Sequence, residues 1–136
     1  MSLIIKKNTT FKIPRTGSGA SSNIPLSQTN ISLTGFSYTP YNNVDFAFNL
    51  ISQSVTLARQ SNTEWFIDDT DPSNPTGYEV FVSYAGGEWI ILIYNSDPSV
   101  NEYAATNQAA NTSIPVTGWV LGVGLGNSGS VTITAA

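Results

Sequence analysis

Apolar and polar residues alternate through most of the chain beyond residue 30. Ile31-Ser-Leu-Thr-Gly-Phe36 begins the pattern, with the period of two that a strand shows when one face is buried. Val44-Asp-Phe-Ala-Phe-Asn-Leu50 places aliphatic and aromatic residues between small or polar ones, and Val55-Thr-Leu-Ala-Arg59 continues it. Glu64-Trp-Phe-Ile67 is a short apolar run that ends in an acidic turn. No stretch keeps a helical period, although the alanines of residues 100–110 (Ala104, Ala105, Ala109, Ala110) allow a short helical turn there.

The strongest local signal is a hairpin. Tyr78-Glu-Val-Phe-Val-Ser-Tyr84 and Trp89-Ile-Ile-Leu-Ile-Tyr94 flank Gly86-Gly87, a pair that tolerates the positive φ of a tight turn. Tyr78, Val80, Val82 and Tyr84 then share one face. The second run is apolar on both faces, as expected of a central strand, and ends at Asn95-Ser-Asp-Pro98. Gly118-Trp-Val-Leu-Gly-Val123, a turn through Gly124 to Gly129, and Ser130-Val-Thr-Ile-Thr134 form a last strand pair. Many short strands with closely spaced turns predict an all-β fold, an antiparallel β-sandwich or jelly-roll-like domain over residues 31–136.

Residues 1–30 read differently. Met1 to Arg15 is rich in β-branched residues and reaches Pro14, which predicts an extended arm. Thr16-Gly-Ser-Gly-Ala-Ser-Ser-Asn23 and Pro25 read as a flexible linker. Charge divides at the same place. Four of the five basic residues are Lys6, Lys7, Lys12 and Arg15, and no acid precedes Asp45. The chain therefore carries +4 up to residue 44 and −8 beyond it. A basic arm on an acidic body is the pattern of an interaction segment. Leu3, Ile4, Ile5, Phe11 and Ile13 are too apolar for a solvated tail and predict burial on a partner. Four positive charges give a small phosphate footprint, and the acidic body opposes nucleic acid.

Composition narrows the chemistry. The 136 residues suffice for one domain with its own core. Cysteine and histidine are both absent, which excludes disulfides, thiol nucleophiles, Cys/His zinc sites and histidine acid–base catalysis. Only 10% of residues are charged, against about a quarter in ordinary soluble domains, and the low charge suits a protein packed among neighbours. No apolar run approaches the length of a membrane helix, and the first residues lack the order of an export signal.

Two further sets of side chains have functional readings. Asp68, Asp69 and Asp71 sit in Asp68-Asp-Thr-Asp-Pro-Ser-Asn74, an oxygen-rich loop of the kind that holds hard cations, and equally a series of turn formers. It lacks the spacing of a helix-loop-helix calcium site, so no metal or other cofactor is expected. Trp65 and Trp119 can offer stacking faces to sugar rings, whereas Trp89, between β-branched neighbours, reads as core. Nothing selects a carboxylate pair for glycoside hydrolysis, and no enzyme is expected.

The second half of the chain resembles small domains of tailed-bacteriophage virion proteins. The resemblance rests on Tyr84-Ala-Gly-Gly-Glu-Trp-Ile90, Tyr103-Ala104, Ile114-Pro-Val-Thr-Gly-Trp119 and Val131-Thr-Ile-Thr134, within residues 78–134. It implies a structural component of the virion. A small β-domain with an N-terminal arm is similar to capsid cement or decoration proteins, which implies docking on the major capsid protein and on sister copies, a trimer among the arrangements. The alternative is a carbohydrate-binding domain of a tail fibre or spike.

Overall fold

The computed structural model describes residues 23–41, 45–96 and 99–136. Residues 1–22, which hold the predicted arm and the first part of the linker, lie outside the described residues, as does Val44. The described residues are all-β: β1 (Asn30–Tyr38), β2 (Phe48–Asn49), β3 (Ser54–Ser61), β4 (Glu64–Ile67), β5 (Glu79–Ala85), β6 (Glu88–Ser96), β7 (Ser99–Asn107), β8 (Val120–Leu121) and β9 (Ser128–Ala135). They join in a single antiparallel sheet that curls around its core. From β3 to β8 each strand pairs with the next, a meander, and β9 returns to the first strand, β1.

Alternation explains which side faces inward. Trp65, Val82, Ile91 and Ala105 lie in register across β4 to β7, and Ile67, Val80 and Ile93 form the next inner row. Ile31 and Leu33 of β1 align with Leu57 and Val55 of β3, and all are buried. In β1 the parity then changes, because the buried residues after Leu33 are Phe36 and Tyr38. The register against β9 shifts at this point, where Gly35 alone, with φ +98°, stands opposite two residues of β9, Ser130 and Val131. A bulge of this kind keeps the apolar residues on the inner face of a strand that bends. The hairpin forms as predicted: Ala85 pairs Glu88, and both Gly86 and Gly87 have positive φ, the signature of a two-residue type I′ turn.

Three segments depart from the sequence reading. The alanine-rich stretch is strand β7 as far as Asn107, with Ala109 and Ala110 beyond its end. It lies between β6 and β8, and its ladder hydrogen bonds and burial override the weak strand preference of alanine. Ala104 is an extra residue opposite β6, and small side chains at Ala104 and Ala105 fill the tight interior. The expected last strand pair does not form: β8 holds only Val120 and Leu121 and pairs β7, while β9 crosses over to pair β1. Finally, the linker residues from Ile24 onward are attached to the body. Ile24 is buried and bridges Ile114, Arg59 Nε donates to the Leu26 carbonyl (2.7 Å), and the Trp65 indole N–H donates to the Gln28 carbonyl (2.9 Å).

The curl brings β1 against the far end of the meander. The Tyr38 hydroxyl donates to Glu102 of β7 (3.2 Å), and the Leu125 N–H donates to the Thr39 carbonyl (2.8 Å). Asn127 ties this end together, accepting from the Thr39 N–H (3.1 Å) and donating to the Gly122 carbonyl. Gly124 permits the approach, because a Cβ there would collide with the Thr39 carbonyl.

Candidate functional site

The acidic loop is built from three successive Asx-x-Ser/Thr triplets. The Asp68 carboxylate accepts from the N–H and hydroxyl of Thr70, both at 3.0 Å. Asp71 does the same with Ser73, at 2.8 and 2.7 Å, and Asn74 with Thr76, at 2.9 and 2.7 Å. The Asn74 amide also donates to the carbonyls of Asp68 and Tyr78. The side chains that look like cation ligands thus serve first as turn formers that replace ladder bonds between β4 and β5.

Within this loop the structure groups Asp68 and Asp69 with Glu79, and Asp71 is outside the group. One carboxylate oxygen of each of the three lies within 4.8 Å of the others. Glu79 was missed in the sequence because its position depends on strand register. Ile67 pairs Val80, so the next position of the β4–β5 ladder sets Asp68 against Glu79. The Thr70 backbone and side chain, together with Asp69, hold the Asp68 carboxyl below its ordinary pKa. Asp69, hydrogen-bonded to Asp68 and partly desolvated, is raised. Glu79 is raised by partial burial and then by the charges of Asp69 and Asp68. Ser73 lowers Asp71. The three grouped carboxylates supply oxygen donors of the type that calcium takes, fewer than the six to eight of a complete shell.

The tryptophans separate. Trp65 is fully buried, with its ring 6.2 Å from that of Trp89 and its N–H committed to Gln28. It has no face for a sugar, which corrects the ligand-binding reading of this residue. The alternating pattern carried it inward with Ile67. Trp89 is core as expected. Trp119 is half-buried, donates its N–H to the Pro115 carbonyl (2.9 Å), and lines a groove.

That groove has a volume of about 650 Å³. One wall is Val116 to Trp119, the other is Ser130 to Ala135 of β9, and Ile24 closes it. Val131 and Ile133 give it an apolar floor. Three large apolar side chains, Val120, Val123 and Leu125, are exposed in the segment between the two walls. The chain leaves the described residues beside this groove, since Asn23 Oδ1 lies 3.5 Å from the Val116 nitrogen. The arm residues Leu3, Ile4, Ile5, Lys6, Lys7, Phe11, Lys12, Ile13 and Arg15 lie outside the described residues. Compared with known proteins, the chain matches no family model, no curated protein and no solved structure.

Proposed function

We propose that this protein is a non-enzymatic structural component of a bacteriophage virion, a capsid cement or decoration protein that docks on the shell through its N-terminal arm. The observation that carries the reading is the division of charge and apolarity along the chain: an arm of +4 that carries Leu3, Ile4, Ile5, Phe11 and Ile13, joined by a Gly/Ser linker to a body of −8. Burial of Leu3, Ile4, Ile5, Phe11 and Ile13 on shell subunits supplies affinity, and Lys6, Lys7, Lys12 and Arg15 meet acidic groups and guide approach. In this reading the two halves of the curled sheet act as the layers of a sandwich-like, jelly-roll-like body.

The experiment is deletion of residues 1–15 followed by particle binding. The expected result is a body that melts cooperatively and no longer sediments with shells. Particles still decorated by the truncated protein would overturn the reading. The carbohydrate-binding alternative now rests on Trp119 alone of the two tryptophans, because Trp119 lines the groove. A change in its fluorescence with one member of a glycan panel, abolished by Trp119→Ala, is its signature.

A further inference from the structure

We propose that the groove beside β9 receives residues Thr9 to Ile13 of a neighbouring copy as an added strand, so that copies are linked by exchanged arms. The inference rests on the proposed docking role of the arm and names its partner, a second copy of this chain.

The groove has the form of a missing strand. Six successive residues of β9, Ser130 to Ala135, line it. Successive side chains of a strand point to opposite faces, so a wall made by all six is the edge of the strand. Among the described residues β9 pairs only with β1. The Ala136 N–H donates to the Asn30 carbonyl (3.0 Å), and hydrogen-bonded pairs alternate along an antiparallel ladder. Ser32 with Thr134 and Thr34 with Thr132 are then the bonded pairs, and the N–H and C=O groups of Val131, Ile133 and Ala135 point to the groove. Exposed edges are normally blunted by charge, proline or shortness. Ser128–Ala135 has eight residues with neither charge nor proline.

The arm segment complements this edge. In Thr9-Thr-Phe-Lys-Ile13, Phe11 and Ile13 share a face with Thr9, and Lys12 with Thr10. One face thus meets the apolar lining of Val116, Trp119, Val131 and Ile133 while Lys12 stays in water. Between Ile13 and Ile24 the chain can span up to ~35 Å, enough to reach an adjacent body. Two observations favour another copy over the chain's own arm. Val120, Val123 and Leu125, exposed by 65%, 79% and 57%, are covered by an arriving body as well as an arriving strand. Each exchanged arm also brings +4 to a body of −8, which offsets repulsion between copies.

The test compares the full chain, the full chain with Phe11→Asp, and a form lacking residues 1–13, by solution mass and by hydrogen exchange at Val131, Ile133 and Ala135. The expected result is a full-length oligomer whose three amides exchange at least ~10-fold more slowly than in the other two forms, both monomeric and still cooperatively folded. An oligomer that survives in both altered forms overturns the proposal. So does a full-length monomer, whether its edge is protected by its own arm or exchanges freely. Particle binding measured on the same three forms separates the two readings: a full-length monomer that still binds shells through its arm overturns arm exchange and leaves the docking role standing.

Discussion

Gly129 and Gly87 have nearly the same backbone angle, φ +84° and +85°, and opposite surroundings. A Cβ on Gly87 meets open space at the hairpin tip, whereas a Cβ on Gly129 collides with the Gly35 carbonyl across the β1–β9 ladder. Alanine at Gly87 therefore carries only the left-handed backbone penalty, about 1 kcal/mol. Alanine at Gly129 adds a clash with backbone that can move only by opening the ladder, at least about 2 kcal/mol in all. Urea unfolding of the two variants checks the difference, and equal losses would show that β9 yields easily. Tyr38 gives a second test at this scale. Burial, then the charge and hydrogen bond of Glu102, push its phenol up to about 12 from 10.0. The folded state holds this proton more tightly than the unfolded chain does, so the Tyr38 contribution is complete below pH 10 and is lost as pH rises toward 12. The unfolding midpoint of Tyr38→Phe is expected to fall less than that of the parent protein across that window, and parallel pH profiles would count against the contact.

Among the elements, the loop between β4 and β5 depends on Asn74. Its Oδ1 accepts from Thr76 while its Nδ2 donates to the carbonyls of Asp68 and Tyr78, so one amide holds both ends of the loop. Asn74→Ala is expected to cost about 1–3 kcal/mol by urea unfolding. Replacement of Asp71, whose carboxylate accepts from Ser73 two residues on, should cost less. The Asx-x-Ser/Thr triplets were legible in the sequence as turn formers, and so was the hairpin, because period-two patterning and Gly86-Gly87 are local properties. What was not legible depends on partners distant in sequence. Strand β7 is specified by β6 and β8 against the preference of its alanines, and Glu79 joins Asp68 and Asp69 only through register. The parity change at Gly35 was hidden because glycine is equally compatible with a turn and a bulge. Trp65 was open to two readings until the curl of the sheet showed that its alternating face is the interior. That β9 pairs on one side only among the described residues follows from topology, and no residue of β9 announces it.

At the scale of the molecule, the seam of the curled sheet is bridged at one end by hydrogen bonds among the described residues and bordered at the other by the groove. The closed end is Asn127 bridging Thr39 and Gly122, with the Leu125 N–H on Thr39 and the Tyr38 hydroxyl on Glu102, and the Gly122 N–H on Ala104 continues the β7–β8 ladder up to this seam. The other end is the groove between Val116–Trp119 and β9. Elsewhere the strands of the meander pair along ladders over a buried inner face, so the seam should open before the body unfolds. Asn127→Ala tests this, because it removes both bridging bonds and introduces no bulk. The expected loss is about 1–2 kcal/mol, with the amides of Leu125 and Gly122 exchanging faster. The Tyr84 amide, bonded to the Thr63 carbonyl in the meander, should keep its protection beyond what the global loss explains. Equal acceleration at all three amides would mean that closure and folding are one cooperative event. The seam would then be a fixed wall, and any strand entering the groove would meet a preformed edge without having to widen the sheet.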